Sequence, residues 1–319
     1  MMLSRVASNM YWFARYLERA ENTARIITVN ANLVLDLPKD VTFGWEPLIA
    51  ITGSRESFDA LYKGMEERNV LRFMLSQKKT PGSLISSLIN ARENLRTTRD
   101  IVPREAWEHL NSLFFYAEEH ANLGLSRRGR HEYLRTIIDN CQLITGLLAG
   151  TMSHDEAYEF IRLGRNLERA DMTTRILDVR TEDLLEERPT EVTAYDRIQW
   201  MSVLKSLTAY QMYRRHVRTR VTAADVIRFL TQDTKFPRAL LHCLGEMESC
   251  LKQLPANEDA LRPVTRLQRL IQQADIKKMA NDSAALHHYM DDLQVKLADC
   301  HTHISSCYFG DTAKLEQCA

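Results

Sequence analysis

The sequence contains an internal repeat that spans most of the chain. RYLERAENTARI at residues 15–26 returns as RNLERADMTTRI at residues 165–176, with eight identities in twelve positions. Residues 70–95 match residues 226–251 at eight further positions, and Trp45 corresponds to Trp200 between these two pairs. Three matches in the same order, at offsets of 150, 156 and 155, indicate a tandem duplication. We therefore expect two related units, 1–150 and 151–319, packed as one compact domain about an internal pseudo-two-fold axis.

The spacing of apolar residues predicts helices in both units. Phe13, Leu17, Ala20 and Ala24 recur at steps of four and three, which defines one face of a helix. No convincing alternation of apolar and polar residues predicts a strand. The predicted fold class is all-α, a tandem-duplicated helical bundle. We expect helices at residues 5–34, 45–63, 67–77, 82–101, 103–122, 128–150, 154–186, 195–218, 222–232, 236–253, 257–274 and 280–309.

Composition indicates a soluble protein in which arginine is the main cation. The 319 residues carry 42 Lys and Arg against 42 Asp and Glu, so net charge gives no reason to expect nucleic acid or an anionic membrane as a partner. Arginines number 31 and lysines 11, and arginine suits fixed, bidentate pairing with carboxylate or phosphate. The first residues lack the apolar core of a signal peptide, and the six cysteines form no C-x-x-C pair. We expect a cytoplasmic location and reduced thiols.

The repeated charged segment supports three interpretations. Arg15 and Arg19 are like charges one helical turn apart, which repel each other unless carboxylates or an anion lie between them. In the first interpretation, Glu18 and Glu168 are the carboxylates of a buried ionic network at the junction of the two halves. In the second, one of these glutamates is a general acid or base in a polar cleft whose arginines hold an anionic group. The third is a partner-binding surface. The arginines concerned are Arg15, Arg19, Arg25, Arg165, Arg169 and Arg175.

A third charged helix is predicted at residues 90–111. Arg92, Glu93, Asn94 and Arg99 lie in its first half, whereas residues 248–250 of the second unit read Glu-Ser-Cys. A network required equally by both units would be retained in both. The loss therefore favours an asymmetric site in the first unit, although drift after duplication explains it almost as well.

Metal and cofactor signals are weak. The chain has no Glu-x-x-His, the pair that carboxylate di-iron bundles use. Cys300, His303 and Cys307 share one helical face and could bind zinc, but no fourth ligand is evident. We predict no bound metal and no cofactor.

Several long motifs resemble the alpha-E family, a bacterial family of all-helical proteins. They are MLSRVASNMYWFARYLERAENTARI, ARENLRTTRDIVPREAWEHLN, LGRNLERADMTTRIL, and the W…Y-R-R and F-P-R segments at residues 200–238. The resemblance implies a role in making or modifying amide bonds of a peptide or peptide-like metabolite, beside an ATP-dependent ligase. It also implies partners: a circularly permuted ATP-grasp protein and, as a further partner, a transglutaminase-like protein.

The resemblance also carries over site residues. The candidate catalytic residues are Glu18 and Glu168. The candidate substrate-binding residues are Arg15, Arg19, Asn22, Arg25, Arg92, Glu93, Asn94, Arg99, Arg165, Arg169, Asp171 and Arg175. The other carried-over polar positions are Ser8, Asn9, Glu21 and Asp100.

Three functional hypotheses follow. The leading one is an accessory component that docks an ATP-grasp ligase and presents the Glu18/Arg cleft to an anionic peptide or acyl-phosphate intermediate. The second is an enzyme in which Glu18 or Glu168 is the general acid or base for transfer or cleavage of an amide. The third is a helical scaffold whose charges only stabilise the fold.

Overall fold

The computed structural model describes residues 2–36, 44–182, 194–217, 220–280 and 282–310. Over these ranges the chain forms sixteen helices and no strand, which confirms the all-α prediction. In chain order the helices are α1 Ser4–Asp36, α2 Glu46–Ile51, α3 Arg55–Asp59, α4 Glu67–Ser76, α5 Leu84–Arg96, α6 Arg104–Glu119, α7 Ala121–Leu125, α8 Arg130–Thr151, α9 Glu156–Glu182, α10 Ala194–Ser206, α11 Tyr210–His216, α12 Ala223–Gln232, α13 Leu240–Gln253, α14 Glu258–Gln273, α15 Ile276–Met279 and α16 Ser283–Tyr308.

The two charged helices, α1 and α9, pack against each other at the centre of the molecule. α1 also packs on α5 and α8, while α9 packs on α13 and α16. The two backbones approach so closely at Gly164 that a Cβ atom there would lie 2.2 Å from the carbonyl oxygen of Tyr11. Glycine is therefore required at this crossing, because a side chain of any size would push the helices apart.

The apolar face predicted for α1 forms part of the core. Phe13, Ala20 and Ala24 are fully buried, and Leu17 is almost so. The core continues without interruption into the second half through residues of α9, α13 and α16. None of the helices described is long and apolar enough to cross a membrane.

Two predicted helices are interrupted. The helix expected at 45–63 is divided into α2 and α3 at Gly53, whose φ is +62°. The helix expected at 195–218 is divided into α10 and α11 at Thr208, whose φ is +55°. A left-handed residue stops the regular hydrogen-bond pattern, and a non-glycine residue rarely adopts this conformation, so the second break could not be read from composition.

The other boundaries differ from the predictions by a few residues. The segment 103–122 contains α6 and only the first two residues of α7. Helix α13 begins at Leu240, because residues 236–239 still form the turn that contains Pro237. The end of the helix predicted at 154–186, and residue 218 of the helix predicted at 195–218, lie outside the described residues. The described cysteines are free thiols, and four of the five are buried.

Candidate functional site

Glu168 lies buried between α1 and α9 and accepts three hydrogen bonds from α1. Arg15 Nε donates to Oε2 at 2.9 Å, and Arg19 donates from Nε to Oε1 at 2.5 Å and from Nη2 to Oε2 at 2.9 Å. Burial raises the pKa of Glu168, but the two guanidinium groups outweigh it and bring the pKa to about 2. This glutamate is therefore a fully ionised, fully paired carboxylate.

Glu18 is equally buried but is held differently. Its Oε2 lies 3.0 Å from Nε of Arg169, and its Oε1 lies 2.7 Å from Nη1 of Arg238. Both contacts are ion pairs. Oε1 of Glu18 and Nε of Arg169 are close to their partners but are not aligned with them for a hydrogen bond. Burial raises the pKa of Glu18, but the charges of Arg169 and Arg238 outweigh this effect and bring the pKa to about 2.

The two Glu-Arg dipeptides of the repeated segment pair with each other. Glu18 contacts Arg169, and Arg19 contacts Glu168, so each dipeptide supplies the counter-ion of the other across the α1/α9 interface. The crossing geometry also explains why like-charged arginines tolerate each other one turn apart, since a carboxylate from the facing helix lies between them.

Arg238 is the buried cation that sequence reasoning missed. Its guanidinium donates to Oδ1 of Asn22 at 2.6 Å and to Oε1 of Glu21 at 3.0 Å, in addition to its ion pair with Glu18. Thr173 of α9 donates to the carbonyl oxygen of Arg238 at 2.9 Å, which fixes the backbone before α13. The signal was present in the F-P-R segment at 236–238, but this segment is far from both charged helices in sequence.

The sequence predicts that Arg165 pairs with one of the buried glutamates, but Arg238 takes this place beside Glu18. Arg165 makes no ion pair with any described residue, and its buried Nε has no hydrogen-bond partner. Burial and the neighbouring Arg169 lower the pKa of Arg165. Its charge nevertheless helps to lower the pKa of Glu18. Arg165 is thus a mostly buried cation beside the network and not a member of it.

The outer arginines pair within their own helices, as their spacing predicts. Arg25 contacts Glu21 at 2.7 Å and Arg175 contacts Asp171 at 2.9 Å, both one turn apart. Arg25 also donates from Nη1 to the hydroxyl of Thr208 at 2.8 Å. That threonine is the left-handed residue between α10 and α11, so the network reaches the break in the chain.

A cleft of about 230 Å³ opens beside these groups. Its walls include Glu21, Arg25, Gln142, Arg169, Thr208 and Arg238. Three guanidinium groups therefore face a cavity that holds one carboxylate. A positively charged cavity with arginine forks is suited to a carboxylate or phosphate group of a ligand.

The other side of the network, next to Glu168, is closed by aromatic residues. The guanidinium of Arg15 lies 4.9 Å from the ring centroid of Trp12, and the Tyr11 hydroxyl is 2.8 Å from Nδ1 of His301. Burial, and then the charge of Arg15, lowers the pKa of His301 to about 3, so this histidine is neutral. We conclude that Glu168 is sealed from ligands while the Arg169/Arg238 side is open.

The third charged cluster lies apart from this cleft. Arg92 donates from Nε to Oδ1 of Asn111 at 2.7 Å and stacks over rings of α6, while Asn94 donates to the carbonyl oxygen of Asn90 at 2.9 Å. Glu93 pairs with the exposed Arg96, and Arg99 is exposed. The structure therefore does not bring Arg92, Glu93, Asn94 and Arg99 to the α1/α9 network.

The proposed soft-metal cluster does not assemble. Cys300 is buried, while His303 is half-buried and its Nδ1 lies 2.9 Å from the carbonyl oxygen of Asp299. In the described part of the chain, the residues whose ligand atoms come close enough for a metal are Asp178, His287 and Asp291. There His287 contacts the two carboxylates with opposite ring nitrogens, which is the geometry of an imidazole held between two carboxylates and not of ligands converging on one ion.

Comparison with known proteins gives one family and uncharacterised relatives. Uncharacterized proteins of Mycobacterium bovis and of two strains of Mycobacterium tuberculosis are 22% identical over 280 residues, which cover 81% of this chain and 31% of each relative. The chain thus spans about a third of the length of these relatives. No solved structure matches.

A family model matches residues 2–309 and is described as "a predicted alpha-helical domain with a conserved ER motif". Glu18-Arg19 and Glu168-Arg169, which pair with each other across the centre of the molecule, are Glu-Arg dipeptides within the matched residues. The match covers nearly the whole chain, and on this ground the chain belongs to the Alpha-E family.

Proposed function

We propose that this protein binds an anionic, peptide-like substrate or intermediate in the cleft beside Arg169 and Arg238. In this proposal it is an accessory or catalytic component of an ATP-grasp-dependent system for the synthesis or modification of amide bonds. Its proposed partners are a circularly permuted ATP-grasp protein and, as a further partner, a transglutaminase-like protein, and its proposed location is cytoplasmic. The amide chemistry and the partners rest on the family resemblance, whereas anion binding rests on the cleft.

The charge balance around the cleft carries the proposal of anion binding. Arg169 and Arg238 share Glu18, Arg25 and Arg238 share Glu21, and Arg165 adds a further cation next to Glu18. Four guanidinium groups therefore surround two carboxylates. Buried cations in excess of the neighbouring carboxylates are stabilised when an anion supplies the missing charge.

The low pKa values of the glutamates favour a charge-holding role over proton transfer. A carboxyl group with a pKa of about 2 is ionised throughout the physiological range and is a weak base. In the proposed role, Glu18 orients Arg169 and Arg238 toward the ligand, and Glu168 locks α1 to α9. The assignment of Glu18 or Glu168 as general acid or base stays the alternative for a catalytic component.

Two equivalent contacts support the proposal that the chain arose by duplication of a unit of about 150 residues. Arg25 of α1 reaches Thr208, and the Nη1 atom of Arg175 of α9 lies 3.2 Å from the position of a Cβ on Gly53. Gly53 and Thr208 both have left-handed backbones and correspond at the offset that relates Trp45 to Trp200. Arg25 of α1 and Arg175 of α9 thus occupy equivalent positions, each beside the helix break of the opposite unit.

The second candidate function is a non-catalytic scaffold that docks partners. The observation that favours it is the complete pairing of Glu168, which has no hydrogen-bonding capacity directed at a ligand. In this case the Glu/Arg network serves only to hold α1 and α9 together.

A thermal-shift titration of the purified full chain tests anion binding. N-acetyl-glutamyl peptides and inorganic phosphate are the probes, and we expect each bound probe to raise the Tm by mass action. Arg25→Gln should remove the rise in Tm, because the substitution takes away a guanidinium group that faces the cleft. The partner Thr208 is neutral, so the loss of Arg25 leaves no charge unpaired at that hydroxyl. Arg128→Gln, at an exposed site, is the matched control. A rise of the same size in Arg25→Gln would refute binding in this cleft.

Reconstitution tests the pathway. Mass spectrometry of the product of the ATP-grasp protein, with and without this protein, should show an amide product that depends on it. An unchanged product in its absence would contradict both the accessory and the catalytic versions, whereas the scaffold version predicts that Arg25→Gln leaves the product unaltered.

A further inference from the structure

A second cavity, which shares no lining residue with the cleft beside the Glu/Arg network, lies between α14, α15 and the first half of α16. It is an open groove of about 810 Å³. Leu270, Met279 and Tyr289 line it and pack against the core, so its floor is largely apolar. The hydroxyl of Tyr289 is buried there without a hydrogen-bond partner. A groove of this size with an apolar floor and a few polar groups has the character of a binding surface.

A row of arginines borders the groove. Arg262, Arg266 and Arg269 occupy positions i, i+4 and i+7 of α14, which place all three on one helical face. Lys278 of α15 adds a fourth cation. Within the described ranges Arg266 and Arg269 form no ion pair, and Arg262 has only an exposed contact of 3.3 Å with Asp259.

The carboxylates that line the same groove are already engaged. Oδ1 of Asp275 accepts from the backbone N–H of Lys278 at 3.2 Å, where it caps α15. Asp292 pairs with Lys296 at 2.7 Å. Four cations therefore line the groove with two carboxylates that already have partners. The net charge that the groove presents to a ligand is positive. Like charges on successive turns repel, so a complementary anion would stabilise the row.

We propose that this groove docks an acidic, amphipathic segment of a partner protein. Apolar side chains of the segment cover Leu270, Met279 and Tyr289, and its carboxylates pair with Arg262, Arg266 and Arg269. The length of the arginine row favours a ligand that carries several negative charges along a chain over a single small anion. Seven residues of helix extend for about 10 Å, a distance that one carboxylate or phosphate group does not span.

The apolar floor decides between a peptide and a nucleic acid. Single-stranded nucleic acids are held by exposed aromatic rings that stack with bases, and the groove offers one ring, that of the half-buried Tyr289. A peptide instead gains from the burial of aliphatic side chains on Leu270 and Met279. This surface is separate from the anion cleft, so its proposal stands or falls independently of the proposed function.

Selection from a random 16-residue peptide display library, with the full chain as bait, tests the proposal. We expect enriched peptides to alternate acidic and apolar residues, and their binding to weaken as NaCl is raised. Binding of the best peptide, measured by fluorescence anisotropy, should weaken by about tenfold or more in R266E/R269E. The control R72E/R128E makes the same charge change at two exposed arginines outside the groove and should bind like the unaltered protein.

Three outcomes would overturn the proposal. They are the absence of acidic enrichment, equal peptide binding by R266E/R269E, and tighter binding of a single-stranded RNA oligonucleotide or of anionic lipid vesicles than of any selected peptide. Should R266E/R269E fail to fold, R266Q/R269Q removes the same charges without reversing them, and the same comparison applies.

Discussion

Glu168→Gln is the substitution whose effect follows most directly from the structure. It keeps the shape of the side chain but removes the charge that Arg15 and Arg19 share, and it leaves both guanidinium groups near a neutral amide. Breaking a buried ion pair by removing one partner costs about 3–5 kcal/mol. The pKa gives a similar figure: a value of about 2, against 4.5 for the unperturbed group, corresponds to about 3 kcal/mol.

The pH dependence of this loss has a definite sign. Because the pKa of Glu168 in the folded protein lies below that in the unfolded chain, its contribution is fully present above pH 4.5 and disappears as the pH falls towards 2. Urea denaturation followed by circular dichroism at pH 7, 5 and 3 should show the variant about 3 kcal/mol less stable at pH 7. The difference between the two proteins should shrink at pH 3.

Glu108→Gln is the matched control. Glu108 pairs with Arg104 at 2.7 Å, but both side chains are more than half exposed, so its loss should cost less than about 1 kcal/mol. A loss below about 1 kcal/mol for Glu168→Gln at pH 7, or a difference that does not change between pH 7 and 3, would refute the idea that a buried, fully ionised carboxylate holds α1 to α9.

Three further predictions concern packing, pH and the cleft. Gly164→Ala should destabilise the protein by about 1–3 kcal/mol in urea denaturation, because the added Cβ would overlap the backbone of α1. The control Gly146→Ala, at an open helical position, should stabilise the protein by about 0.5–1 kcal/mol. Equal effects of the two substitutions would contradict the close crossing. The pKa of His301, lowered from 6.5 to about 3, predicts that the free energy of unfolding falls by about 2 kcal/mol as the pH falls from 6.5 to 5. His301→Gln should abolish this dependence, and the control His303→Gln, at a half-buried site, should not. Arg238→Gln should lower stability by about 3 kcal/mol and also remove the anion-dependent rise in Tm; a persistent rise would exclude Arg238 from the site.

The reciprocal pairing gives a physical account of why Glu and Arg are adjacent in the repeated segment. Neighbouring residues of a helix point about 100° apart, so one dipeptide can face a crossing helix with both charges. Where two such helices cross, Glu18 meets Arg169 and Arg19 meets Glu168. Neither helix could bury its charges alone, because a single dipeptide would lack both of the partners that the facing helix supplies.

Local spacing was sufficient to predict most of the fold. The helical face of α1, the pairs Glu21–Arg25 and Asp171–Arg175, and the packing of both sides of the charged helices all depend on residues three or four positions apart. Because a helix has a fixed number of residues per turn, such relations can be read directly from the order of amino acids.

The identity of the arginines that contact each glutamate was decided by tertiary structure. Arg238 and not Arg165 pairs with Glu18, because the turn before α13 packs against the α1/α9 crossing. The same crossing leaves the Arg92 cluster on a separate surface and places the left-handed Thr208 beside Arg25. These contacts join residues up to about 220 positions apart, and their geometry depends on how closely whole helices approach, which the periodicity of one helix does not contain. The amino-acid order by itself determined the helices and the need for their charges to be paired, and only packing determined where guanidinium groups outnumber carboxylates.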